Sequence, residues 1–160
     1  MNDSPLIIRL KYRVLFDYDK SVEELLADGK YDGRPTHLQG ITTQNFPSSE
    51  NGKIEREILL VELCEWMMLD KAIRLFGEYP TPLRPGTLKE LLTLGAIFPN
   101  LQRINRVAEI GSISCFSTGN DELCSNVELY ENSKKKRMVE FDFPNSCLLD
   151  ASTFYITVPI

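Results

Sequence analysis

Histidine and tryptophan each occur once in this chain, as His37 and Trp66. His37 stands between Pro35 and Gly40, and the sequence offers it neither a nucleophile elbow nor a cysteine in a known catalytic context, so a nucleophilic triad is not expected. The four cysteines, Cys64, Cys115, Cys124 and Cys147, contain no CxxC spacing, and with one histidine they do not compose a structural zinc site. They are also too sparse for a disulfide scaffold, which makes buried, reduced thiols the expectation. Glycine-rich phosphate loops are missing, which removes P-loop nucleotide chemistry. No apolar run reaches the length of about eighteen residues that a membrane span needs. Met1-Asn2-Asp3-Ser4-Pro5 has no basic leader region, so an unexported, soluble, cytoplasmic protein is expected. There is no internal repeat and no low-complexity segment.

What is present is ordinary globular material. Of the 160 residues, 42% are hydrophobic and 26% charged, a balance far from that of disordered chains. The length suits one domain spanning residues 1–160. The formal charge of -5 opposes nonspecific attraction to a nucleic-acid backbone.

Residues 6–18 alternate, with Ile8, Leu10, Tyr12, Val14, Phe16 and Tyr18 on one face and Arg9, Lys11, Arg13 and Asp17 on the other, which predicts a half-buried strand. Ser21 and Glu24 predict a capping box opening a short helix that Gly29 ends. Residues 31–52, rich in glycine, proline and serine, read as a long loop with one short extended piece near Ile41, and loops of that length are often functional. A strand is predicted over residues 53–63, passing from an exposed edge into a covered centre, and a helix over residues 69–76. Pro80, Pro82 and Pro85 form a stiff connector to the clearest element of the chain. There Thr87 and Glu90 make a second capping box, Leu88, Leu91 and Leu92 an apolar stripe, and Gly95 a helix stop. Strands are then expected over residues 106–114, 127–130, 136–143 and 153–158, with a loop over residues 117–125. The expected fold class is α+β: a single domain with N-terminal strands and a short helix, central helices packed on one side, and a C-terminal antiparallel sheet.

The run from Arg84 and Pro85 through Thr87, the Glu90-Leu91-Leu92 helix, Leu94-Gly95-Ala96, Pro99 and Leu101-Gln102 resembles a group of small, uncharacterised bacterial proteins. Weaker similarity extends over Asp28-Gly29-Lys30-Tyr31, Asn45-Phe46-Pro47 and Ile110-Gly111-Ser112, and so over most of the chain. That group implies no activity and assigns no residue a role. A capped Pro-Thr helix followed by looped strands is also similar to C-type-lectin-like domains, but the late tryptophans of that pattern are absent and no calcium signature is present.

Candidate chemistry is thin. Asp17, Asp19, Asp32 and Glu50 have no spacing diagnostic of a carboxylate pair or a magnesium site, and Glu55, Glu57 and Glu62 suit an exposed strand face. Lys134, Lys135, Lys136 and Arg137 form one basic run at an expected hairpin tip. It could grip phosphates, or it could guard a sheet edge against aggregation. Trp66, Met67 and Met68 combine the residue types that anchor protein interfaces, although a strand end in the core would use them as well. The expectation is therefore a non-catalytic binding or regulatory protein with a protein partner, and no catalytic, cofactor-binding or metal residues. The alternatives are an enzyme whose site is assembled from dispersed Asp, Glu, Ser and His side chains, or a nucleic-acid binder working through the basic hairpin.

Overall fold

A computed structural model describes residues 5–33, 40–118, 121–142 and 148–160, without the side chains of residues 113–118, 121–125 and 142. Leu6–Asp17 (β1) pairs antiparallel with Lys53–Leu63 (β2), as the alternation in both segments predicts. Their charged positions meet across the strands: Arg9 with Glu62, Lys11 with Glu57 at 2.7 Å, and Arg13 with Glu55 at 3.2 Å. Between them lies the helix Val22–Gly29 (α1), opened by the expected capping box, in which the Glu24 amide donates to Ser21 Oγ at 3.1 Å. Gly29 is its last helical residue, and Lys30 takes the left-handed turn at φ 47°.

The two expected sheets are one. Phe154–Pro159 (β9) pairs with β2 through residues Leu59 to Glu62 on one side and with Val107–Thr118 (β5) on the other. Beyond β5 come Asp121–Glu131 (β6) and Arg137–Asp142 (β7), giving the order β1-β2-β9-β5-β6-β7. The β5–β9 pair is parallel, so the sheet is mixed rather than purely antiparallel. The loop expected over residues 117–125 is mostly strand, since β5 and β6 extend to Thr118 and from Asp121. Residues 119–120 lie outside the described residues.

The sheet is covered on both faces, which corrects the expectation of helices on one side. Period-2 alternation sends Ile58, Leu60 and Ile156 into a core with α1 and the capped helix Leu88–Ile97 (α3), together with Leu101–Ile104 (α4). Leu59, Val61 and Tyr155 point the other way, against Ala72 and Phe76 of the helix Leu69–Glu78 (α2). A sheet whose central strands are apolar on both faces has to be covered twice, and β2 announces this with its continuous run from Ile58 to Val61. Two pieces were not expected. Met67–Met68 (β3) and Leu148–Leu149 (β8) form a separate two-stranded ribbon, and Leu83–Pro85 (β4), read as a connector, pairs with the end of β9.

Gly95 does not stop α3, which runs to Ile97. A Cβ there would meet Leu129 Cδ1 at 2.4 Å and the Tyr31 hydroxyl at 2.5 Å, so this glycine serves a close helix-to-sheet approach. Among the described residues no helix is long and apolar enough to cross a membrane.

Candidate functional site

The β4–α3 junction is wedged between β9 and β5. The Gly86 amide donates to Ile156 O at 2.8 Å, and the Gly111 amide donates to Gly86 O at 3.0 Å. Gly111 is needed for that second contact, because a Cβ at this position would lie 2.6 Å from Gly86 O. Splaying β5 away from β9 in this way opens a cleft of about 600 Å³. It is bounded by the junction, the Ile110-Gly111-Ser112 segment, Tyr18 and residues 45–50.

Glu90 organises its floor. Local sequence alone makes it the capping partner of Thr87, whose amide donates to Glu90 Oε2 at 2.7 Å. Folding adds Arg84, with Nη2 at 2.6 Å and Nη1 at 3.0 Å, and the Tyr18 hydroxyl at 2.6 Å. The residue is fully buried. Burial alone would raise its pKa, but the hydrogen bonds from Arg84 and Tyr18 outweigh that and hold the carboxyl below its ordinary range. Burial, then the Glu90 carboxylate, pushes the Tyr18 phenol far up. Arg56 lies over the Tyr18 ring at 5.7 Å and donates to Glu50 Oε1 at 2.7 Å.

Lys89 precedes Glu90 in α3 and is only 8% exposed. Its ammonium donates to Tyr18 O at 2.6 Å, and among the described residues no carboxylate lies within 4.0 Å of it. On the opposite wall the Ser112 hydroxyl accepts from the Leu88 amide at 2.8 Å. Beneath that wall Glu109 is fully buried, accepting from the Ser112 amide at 2.8 Å and the Val127 amide at 3.4 Å. Burial pushes its carboxyl up to about 8, against the pull of these backbone amides. Among the described residues no base is hydrogen-bonded to the Ser112 hydroxyl, which accepts from the Leu88 amide.

The sequence marked other places. Trp66 is 61% exposed and Met68 45% exposed, whereas Met67 is buried with Leu149 in the α2 core. Met68 and Leu148 stand opposite one another on the exposed side of the β3–β8 ribbon. Lys134, Lys135 and Lys136 are exposed on the β6–β7 turn, with Lys135 at φ 60° and its ammonium 3.3 Å from Glu131. Arg137 leaves that group: its guanidinium donates to Gly29 O at 2.7 Å and Gly95 O at 2.8 Å, and it stacks over Tyr31 at 5.1 Å, tying α1 to α3. The acidic residues are dispersed. Asp19 accepts from the Gly52 amide, Asp32 from the Arg137 amide, and only Glu50 reaches the cleft. Among the described residues no cluster of three His, Cys, Asp or Glu is placed to hold a metal, and His37 lies outside them.

The cleft was missed because Tyr18, Glu50, Lys89 and Ser112 come together only in the fold. Two local signals point to it: Lys89-Glu90 inside an otherwise apolar helix, and Glu109 within the apolar run Val107-Ala108-Glu109-Ile110. No family model, curated protein or solved structure matches the chain.

Proposed function

We propose that this chain is a non-catalytic binding or regulatory protein acting through a protein surface centred on Trp66, Met68 and Leu148. The observation that carries this reading is the 61% exposure of the only tryptophan beside a half-exposed methionine and an exposed leucine. Water gains if that apolar area is covered, and tryptophan and methionine are favoured interface anchors. The ribbon beneath is held by buried Met67 and Leu149, so little ordering entropy opposes docking. Asp70 flanks the anchor, Glu65 being paired with Lys71 at 3.2 Å, and on a chain of formal charge -5 the fitting partner offers an apolar pocket with a basic group at its rim. Cys64 is exposed, contrary to the burial expected of the cysteines; a thiol open to solvent suits a reducing compartment, and the reading places the protein in the bacterial cytoplasm.

The test starts from a protein recovered in stoichiometric amount by the immobilised chain. Trp66→Ala should weaken that complex by about 2 kcal/mol or more, roughly thirtyfold in Kd, while a Lys134→Glu/Lys135→Glu variant keeps it. In the complex, acrylamide should no longer quench Trp66 fluorescence. Undiminished affinity in a Trp66→Ala/Met68→Ala protein of wild-type melting temperature overturns the reading.

A further inference from the structure

Lys89 is the most buried charge lining the cleft. A lysine ammonium carries three donors, and here one of them is used, on Tyr18 O at 2.6 Å, in a residue 8% exposed. Lys89 lines the cleft, so an anion or polar group entering it reaches the two donors that no described residue fills. The walls around it favour an anion. Arg84 and Lys89 each carry one positive charge and Glu50 one negative, leaving one net positive charge in a protein of formal charge -5. Behind them Glu90 and Arg56 cancel.

The rest of the lining selects the kind of anion. Pro47, Ile73 and Pro85 offer accessible apolar surface along the same cleft, and about 600 Å³ accommodates an organic body rather than a bare ion. Glu50 on the same wall repels a dianion more than a monoanion. We propose that the cleft binds a small organic monocarboxylate, its carboxylate held by Lys89 with support from the Arg84 field, and its apolar body laid against Pro47, Ile73 and Pro85. The Ser112 hydroxyl, which accepts from Leu88 and still has its own hydrogen to donate, gives the opposite wall one further contact. This site is separate from the Trp66 ribbon and does not depend on it.

The probe is 4-phenylbutyrate, with 4-phenylbutyramide and inorganic phosphate as comparators, titrated into the wild-type chain at neutral pH while amide chemical shifts are followed. Saturable shifts are expected at Thr87, Leu88, Lys89, Gly111 and Ser112, with a Kd of about 1 mM or tighter. The amide, which loses the charge-assisted bond, should bind at least about tenfold more weakly, and phosphate should not saturate. Lys89→Met keeps the apolar stem and removes the donor, so it should abolish the preference for the acid over the amide, whereas Trp66→Ala should bind as wild type. The proposal is overturned if the carboxylate produces no saturable shift at these amides, if the amide binds equally well, or if phosphate binds more tightly. Retention of the preference in Lys89→Met overturns it too. If that variant does not fold, the wild-type comparison of acid with amide decides alone.

Discussion

At the residue scale, two buried glutamates behave in opposite ways because of what surrounds them. Glu90 is ionised: Arg84 and the Tyr18 hydroxyl stabilise the charge more than burial opposes it. Its contribution is present above the ordinary carboxyl range and is lost as pH falls through its lowered folded value. Glu90→Gln leaves Arg84 beside a neutral amide and should cost about 3 kcal/mol in urea unfolding at pH 7, with the variant losing less than wild type on acidification. A cost below about 1 kcal/mol would show the pair to be solvent-screened. Glu109 has the reverse sign. With its folded carboxyl raised from 4.5 to about 8, the native state binds more protons than the unfolded chain between those values. Stability should therefore fall as pH rises across that window and level off above it. Replacing Glu109 with Gln removes the titration, so the difference between wild type and Glu109→Gln should narrow or reverse in favour of the variant as pH rises from 5 to 8. A constant difference across that range would refute the raised value.

At the scale of elements, α3 shows how much of a helix is local. Thr87, Glu90 and the Leu88, Leu91, Leu92 stripe specify its start and its buried face, and all three leucines are buried. Thr87→Ala should cost roughly 1 kcal/mol and Leu91→Ala about 2–5 kcal/mol, read from unfolding midpoints. Its end was legible only in part. Glycine reads as a helix stop when only the chain is considered, yet Gly95 is helical because Leu129 and the Tyr31 hydroxyl occupy the space a side chain would take. In an exposed helix Gly→Ala stabilises by up to about 1 kcal/mol. Here Gly95→Ala should destabilise by roughly 1–3 kcal/mol, since Leu129 is buried in the core and has to shift to make room. A raised melting temperature in Gly95→Ala would mean that the approach is looser than described. Arg137 belongs to the same scale: a charge run in the sequence, and in the fold a clasp on carbonyls of two helices.

At the scale of the whole molecule, β9 joins what the sequence presents as two halves. It pairs with β2 on one side and β5 on the other, and Ile156 at its centre is fully buried. Ile156→Ala should therefore lower the unfolding free energy by about 2–5 kcal/mol and accelerate amide exchange in β2 and β5 together. Exchange that speeds up in β5–β7 while β1–β2 keep full protection would instead divide the sheet into separate cooperative units.

The sequence by itself determined the α+β class, the β1 and β2 alternation, both capping boxes and the buried stripe of α3. All of these depend on residues a few positions apart, where backbone geometry alone sets which side chains share a face. The tertiary structure decided the rest. Which strands became neighbours, which face α2 covered, why Gly95 stays helical, and how Tyr18, Glu50, Arg84, Lys89 and Ser112 come to line one cleft all depend on contacts across tens of residues. No local pattern encodes such contacts, because their free energy arises only when distant surfaces leave water together.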